Sequence, residues 1–422
     1  MSRLTMAAIG CGHRTRTYVG LGARQPDRYR TVAAADPVRG RVEATARLAR
    51  NPDFAGFASA EELLARPPMA DLMIIGSQDA HHREHAVAAM ERGYHLLLEK
   101  PIATNLKDVL SVEATARKLG RKVLVCHVLR YAPLYRKIKE IVDSGLLGEL
   151  VTINAFEGVG AWHQAHSYVR GHWAVTEKAS PMILAKSCHD LDILRWIADR
   201  RCLSVASAGA LTHFTPENAP EGAPARCQDG CPVADTCHYN CIRYLGEERG
   251  WLANVCDLSG EADDATVAEW LHRSPWGRCV YRCDNTAVDH QVAVLSFERG
   301  LTATFTMTAF ENGRHLDLFG TRAKLKAGGM VKEAKGHEIM VRFHDKSMDR
   351  YFDSEVKEGG YAGHGGGDSA LMEALHEEMQ KERPEDMTSS LQNSVESHRM
   401  AFAAEEARLS GRVVPIPVPP HR

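Results

Sequence analysis

The sequence predicts an α/β chain: a doubly wound parallel sheet in residues 1–125, then an α+β region in residues 126–422. Three observations carry this. Short apolar runs such as "LTMAAIG" and "ADLMIIG" alternate with segments of helical period, which makes right-handed βαβ units the expected arrangement. At 422 residues the chain exceeds one ordinary core, so two domains are the default. Farther on, "VDHQVAVLSFERGLTATFTMTAFE" alternates apolar and polar residues about a Glu-Arg-Gly turn, the mark of an antiparallel hairpin.

The first strand, "LTMAAIG", runs into a turn and a helix, "CGHRTRTYVGLGAR". Gly10 and Gly12 let the backbone turn tightly and approach a pyrophosphate seated on the helix amino terminus. Gly10, Cys11, Gly12, His13 and Arg14 are therefore candidates for a dinucleotide cradle. Thr15 replaces the third glycine of that fingerprint, so helix and strand are expected to pack slightly less closely. The second strand, "RTVAAADPVRG", ends on Asp36, at the spacing where a carboxylate binds both ribose hydroxyls. A carboxylate there repels a 2′-phosphate and favours NAD, while Arg39 nearby keeps NADP open.

The third strand, "ADLMIIG", leads through Ser77, Gln78, Asp79 and His82 into the helix "REHAVAAMERG". Ser77 and Asp79 are expected either to touch the cofactor ribose or to cap that helix. The run "HLLLEKP" then stops on Glu99 and Lys100 before a proline, at the strand-end edge where open α/β sheets bind ligands. The helix "NLKDVLSVEATARKLG" and the strand "KVLVCHV" continue the pattern.

This ordered set, with "HVLRYAPLYRKIKEIVDSGLLGEL" after it, resembles the glucose–fructose oxidoreductase/inositol dehydrogenase/MocA-type family over nearly the whole chain, most strongly from residue 5 to 200. The resemblance implies an N-terminal Rossmann domain and a second domain with a large open, mostly antiparallel sheet. One face of that sheet covers the cofactor and the other often joins subunits, so a homo-oligomer is expected. It also implies that Glu99 and Lys100 close over the nicotinamide. Lys100 hydrogen-bonds the hydroxyl to be oxidised, and the proline follows through an often cis peptide. The chain departs from the family at Ser77-Gln78-Asp79, where Thr-Pro-Asn is usual.

Removing a hydride from a secondary carbinol also requires a base within hydrogen-bond reach of the hydroxyl. "PMILAKSCHDLDILRWIAD" offers Lys186, His189, Asp190 and Asp192 at the start of an apolar-periodic helix. Residues three and four apart share a helix face, so Lys186 and His189 are expected to point together into the cleft. The family's Asp-x-x-x-His arrangement implies His189 as the histidine but finds Ala185 at the carboxylate position, leaving Lys186 or a water to compensate. Asp190 is expected at the substrate or, like Asp192, as a helix cap. "GAWHQAHSYVRGHW" supplies His163, His166, Tyr168 and Arg170, aromatic faces and donors suited to a sugar ring. His364 and Asp368 in "GYAGHGGGDSALMEAL" are expected at the same cleft, Asp368 alternatively as a cap.

Cys227, Cys231, Cys237 and Cys241 follow C-x3-C-x5-C-x3-C in a polar insertion, roughly residues 213–286, without the periodicity for its own core. Four thiolates satisfy tetrahedral zinc and would fix such a loop, so a structural zinc is expected. Cys283 rivals Cys241 as fourth ligand, and free thiols or an iron–sulfur cluster are the alternatives. The tail "VVPIPVPPHR" is expected along the surface.

A net charge of −2 gives no electrostatic case for nucleic acid or a membrane surface, and no apolar stretch approaches a spanning helix. With no leader pattern at "MSRLTMAAIGCG", a cytoplasmic location is expected. The sequence thus points to an NAD-dependent oxidoreductase acting on a ring hydroxyl of a sugar, glycoside or cyclitol. Two alternatives keep the fold. One is a redox-neutral glycosidase working by transient C3 oxidation and β-elimination; the other is a non-catalytic ligand sensor.

Overall fold

A computed structural model describes residues 3–255, 262–329, 336–347, 349–354 and 363–417. Six strands make the first sheet: β1 (Leu4–Ile9), β2 (Tyr29–Ala35), β3 (Ala55–Phe57), β4 (Leu72–Ile75), β5 (His95–Leu98) and β6 (Val123–Val125). All run parallel, in the order β3-β2-β1-β4-β5-β6. Such a sheet is covered on both faces, which is why its strands read as continuous apolar runs. Ile9, Ile75 and Leu98 enter one core, while Ala8, Ile74 and Leu97 enter the other. The sequence reading passed over β3, a three-residue edge strand too short to leave a periodic signal.

The glycine turn after β1 is forced by crowding. Gly10 has φ +86°, and a Cβ there would lie 2.5 Å from the Ser77 backbone nitrogen. Thr15 keeps its helix close to the sheet because the space comes from the other side. A Cβ on Gly76 would meet the Thr15 hydroxyl at 2.2 Å, so the glycine missing from the helix is supplied by the end of β4.

The second sheet has nine strands: β7 (Leu150–Val159), β8 (Cys202–Ala210), β9 (His290–Phe297), β10 (Thr302–Thr308), β11 (Asn312–Gly320), β12 (Ala323–Ala327), β13 (Ile339–Phe343), β14 (Asp349–Phe352) and β15 (Val414–Pro415). Their order is β14-β13-β12-β11-β7-β10-β9-β8-β15, antiparallel except for β7 beside β10. β9 and β10 form the expected hairpin, with Arg299 left-handed in its turn. The tail runs along the surface over residues 413–417 as expected, with Val413 exposed, β15 paired to β8 at the sheet edge and only Ile416 buried. Residues 418–422 of that segment lie outside the described residues.

The helix Leu391–Ser410, capped by Ser390 and ended by left-handed Gly411, joins the two halves. It packs on β8 and on the helices Cys188–Ala198 and Leu106–Leu119. Its His398 donates from Nδ1 to the Ser394 carbonyl and accepts from the Ile102 amide at 2.9 Å, which fixes the chain just past Lys100 and Pro101.

The insertion, expected to lack a core, has two small ones. Phe214, Tyr239, Val280 and Tyr281 form one, and Trp162, Tyr244, Leu271 and Trp276 the other. Aromatic burial thus supplies the order that zinc was expected to bring. The cysteines divide between the clusters, Cys227 and Cys241 in the second, Cys231, Cys237, Cys279 and Cys283 in the first. The buried Arg170 guanidinium lies 3.5 Å from the Cys227 sulfur. Among the described residues no group of three His, Cys, Asp or Glu side chains closes around a metal position. The zinc expectation is therefore not supported.

Candidate active site

The site lies where the carboxyl ends of β1, β4 and β5 meet the inner face of the second sheet. Asp36, just past β2, accepts the Cys11 amide at 2.8 Å and the Val38 amide at 2.9 Å. It thereby locks the glycine turn and keeps lone pairs for ribose hydroxyls. Gly12 is the amino cap of the helix His13–Ala23, where unpaired amides suit a pyrophosphate. Burial and the Arg14 charge lower the His13 pKa, while burial pushes the Cys11 thiol up to about 12. The thiol stays protonated inside the turn. Arg39 is exposed and pairs with Glu43. The residues present fit a dinucleotide.

Glu99 and Arg14 bind each other rather than standing free. Arg14 Nε donates to Glu99 at 2.9 Å, its two terminal nitrogens donate to Asp368, and Tyr18 donates to Glu99 at 2.6 Å. Asp368 also meets His364 Nδ1 at 3.0 Å and lies in the first turn of a helix capped by Gly366, so it serves the cleft and not the cap. Burial favours the neutral acid at both carboxyls, but Arg14 at Glu99, and His364 with Arg14 at Asp368, reverse this and hold both below the usual range. Lys100 follows through a cis peptide to Pro101 and is half-buried, its Nζ donating to the Ala185 carbonyl at 2.8 Å. His82 bridges the Pro101 and Ser77 carbonyl oxygens at 2.6 and 3.0 Å. The Ser77 hydroxyl meets His85, Gln78 is exposed, and Asp79 accepts from Trp173 at 2.9 Å. The loop after β4 therefore secures the catalytic strand end and the second domain together.

From the second domain, the expected single helix breaks. One turn covers Met182–Ala185, and a new helix runs Cys188–Ala198. Lys186 sits in the break, so it and His189 do not share a helix face as the spacing suggested. His189 is buried, its ring 5.7 Å from His127 and 5.5 Å from His364, and its Nδ1 makes no hydrogen bond. Burial and the Lys100 charge hold its pKa well below the usual value. Asp190 accepts from Arg314 Nε at 2.7 Å. Asp192 caps nothing and instead pairs with Arg130.

The aromatic loop divides. A π-helical turn, Gln164–Val169, shifts the phase of its side chains. His163 and Tyr168 stand 5.9 Å apart near Lys186 and Glu157. His166 meets Tyr244 at 2.7 Å and Arg170 donates to the Tyr239 and Arg278 carbonyls, so both face the cysteine segment. Two site residues escaped the sequence reading. Glu157 on β7 is buried, 3.1 Å from Lys186 Nζ and 2.7 Å from Arg314 Nε on β11. An acid at an inward-facing position of "LVTINAFEGV" was the available signal for Glu157. Nothing local marked Arg314.

Two family models match this chain. An oxidoreductase NAD-binding Rossmann fold matches residues 4–127, and the same family's C-terminal alpha/beta domain matches residues 139–417. The chain belongs to the Gfo/Idh/MocA oxidoreductase family. Among relatives, YteT of Bacillus subtilis is 27% identical over 344 residues, covering 78% of this chain and 76% of that protein. An inositol 2-dehydrogenase of Saccharopolyspora erythraea is 33% identical over 136 residues, 32% of this chain and 37% of the relative. Solved structures share the Gfo/Idh/MocA fold. A Lactobacillus casei scyllo-inositol dehydrogenase with NAD(H) and scyllo-inositol superposes with TM-score 0.66 at 15% identity, covering 98% of this chain and 99% of that one. An Agrobacterium radiobacter oxidoreductase with NAD+, L-tartaric acid and magnesium gives 0.71 at 14% identity, covering 98% of both. This chain is an oxidoreductase with an NAD-binding domain.

Proposed function

We propose that this Gfo/Idh/MocA enzyme oxidises a secondary ring hydroxyl of a sugar, glycoside or cyclitol, with NAD as acceptor. The observation that carries the substrate class is the set of buried polar atoms facing the cleft without a hydrogen bond. Arg314 keeps a terminal nitrogen free, Asp190 keeps Oδ2, and His189 keeps Nδ1. Donors and acceptors alternate, and neighbouring hydroxyls, which both donate and accept, satisfy such a set where an anion would satisfy only its donors.

Bound at the glycine turn, NAD supplies the hydride-accepting carbon. Gly12 and the helix behind it receive the phosphates, Asp36 the ribose. Lys100 orients the reacting hydroxyl, and His189, kept neutral, completes its hydrogen bonds. The inositol 2-dehydrogenase relatives support a cyclitol or sugar as substrate. The uncovered face of the second sheet, where Val292 and Val294 are 43% and 50% exposed beside the threonines of β10, is where copies of the chain would pair.

Replacing Lys100 by Met tests the proposal. NAD affinity by calorimetry should change little, whereas turnover of a panel of inositols and methyl pyranosides should fall about a hundredfold or more. Normal turnover by the variant, or wild-type enzyme inert towards the whole panel, would reject it.

A further inference from the structure

The family's relay pairs a histidine with a carboxylate, and here the carboxylate position is Ala185. His189 is left as a poor destination for a proton. Its Nδ1 has no acid, and its nearest charges, Lys100 and Arg314 among them, are positive. One residue beyond Ala185, however, Lys186 holds an ion pair with a carboxylate from another strand. We infer that Glu157, reaching in from β7, supplies the carboxylate that position 185 lacks, and that it acts through Lys186 as the proton-accepting pair of the oxidation. This inference rests on the proposed oxidation.

The geometry supports it at three points. Lys186 Nζ and Glu157 Oε1 are 3.1 Å apart, with side chains 15% and 2% exposed, so the pair is shielded but reachable. Lys100 donates to the carbonyl of Ala185, the neighbour of Lys186 in the chain, which ties the two lysines to one segment. The helix break at Lys186–Ser187 frees Lys186 from the helix that carries His189. The charged or titratable groups facing the pair are Asp190 and Arg314, Tyr135 and Tyr168, and His163. Burial, then the Asp190 charge, raises Glu157 above the usual carboxylate range. Burial likewise lowers the Lys186 ammonium. Both shifts bring the amine–carboxylic acid state of the pair closer to the ionic one.

In that state Lys186 has a lone pair. As the carbinol C–H bond breaks and its electrons leave with the hydrogen as hydride to the nicotinamide, the O–H bond breaks and its proton passes to Lys186. The C=O bond forms, Lys186 becomes an ammonium, and Glu157 then releases its proton to water. Glu157 is a positioning residue in this scheme, since it touches Lys186 and not the substrate.

The decisive measurement needs no known substrate. Acetylation of Lys186 by acetic anhydride, followed by mass spectrometry across pH, reports its titration in the folded protein. With Glu157→Gln the Lys186 profile should move to lower pH by about one unit or more, the scale of a removed ion-pair partner. Glu157→Asp should stay near wild type. With a polyol that the wild type oxidises, the acid limb of the pH–rate profile of E157Q should follow the displaced Lys186 titration, and E157D should keep the wild-type limb. Should E157Q fail to fold, E157D must still shift Lys186 less than Lys186's difference from surface lysines. Identical Lys186 titration in E157Q and wild type overturns the inference. If Lys100→Met is inactive while E157Q keeps the wild-type profile, this inference alone fails. If Lys100→Met stays active, the oxidation itself is rejected.

Discussion

Two arginines of the second domain face carboxylates inside the protein, and they end differently. Arg130, 2% exposed, gives Nε and a terminal nitrogen to both oxygens of Asp192 at 2.6 and 2.8 Å, and its other nitrogen to the Thr388 carbonyl at 2.8 Å. Its guanidinium also lies over Trp196. Burial favours the neutral acid at Asp192, yet Arg130 holds it below the usual carboxylate range. Each guanidinium nitrogen and both carboxylate oxygens have a partner. Arg314 instead shares one nitrogen between Glu157 and Asp190, both at 2.7 Å, and leaves a terminal nitrogen and Asp190 Oδ2 without a hydrogen bond. A pair closed on itself holds a fold. A pair left open in a cleft is arranged for a group that arrives later.

The largest expected effect breaks the closed pair. Arg130→Met strands the buried Asp192 carboxylate and should cost about 3–5 kcal/mol of stability in denaturant melts. Arg314→Met takes the hydrogen bond from Asp190 but leaves the Lys186 charge near both Glu157 and Asp190. It should therefore cost less stability, yet lower kcat/KM on a polyol by roughly ten- to hundredfold, the worth of a hydrogen bond from a charged donor. Melting and steady-state kinetics on the two variants read the contrast directly. The reverse pattern would mean that open and closed valences carry no functional meaning here.

The same contrast explains what the sequence disclosed. β1 to β6 and their helices were legible because each βαβ unit is local, and Asp36 and Lys100 were legible because strand ends fall at fixed places in such units. His189 followed from its family position. The Arg314 site was not legible, because it is assembled by the pairing of β7 with β11, which joins residues 157 and 314. Strand pairing at that distance leaves no local pattern. Lys186 and His189 were read as one helix face because nothing in "AKSCHD" marks the break. His166 and Arg170 were grouped with His163 because a π-helical turn shifts side-chain phase without a composition signal.

A smaller, distributed effect concerns pH. Burial lowers His127 to about 4 and both His166 and His398 to about 3. His127 stands 3.9 Å from Asp192, so the closed pair shares in this effect. Each folded-state value lies below that of an unfolded histidine, near 6.5. Between those values the unfolded chain binds more protons, so stability rises with pH and is lost as pH falls below about 6.5. Each histidine contributes at most about 1.4 kcal/mol per pH unit in that window. Thermal melts from pH 8 to pH 5 should be flat at first and then fall steeply, and His166→Gln should make the fall shallower. A stability that stays level down to pH 5 would show that these rings are not buried neutral.

The smallest effect tests whether every unpartnered buried atom marks a ligand. Thr15 is wholly buried and its hydroxyl makes no hydrogen bond, as at Arg314, but it faces Gly76 at the end of β4 rather than the cleft. Removing it therefore takes away a packing methyl, worth about 0.8 kcal/mol, and also a buried hydroxyl that costs about 1–3 kcal/mol while unpaired. The second outweighs the first, so Thr15→Ala should leave stability unchanged or raise it, by about 0–2 kcal/mol. NAD affinity by calorimetry should stay within about twofold, because the proposed pyrophosphate cradle uses the amides at Gly12 and His13 and not this side chain. A tenfold loss of NAD affinity would place the hydroxyl in the cofactor cradle, and open valences would then mark ligands on both sides of the cleft.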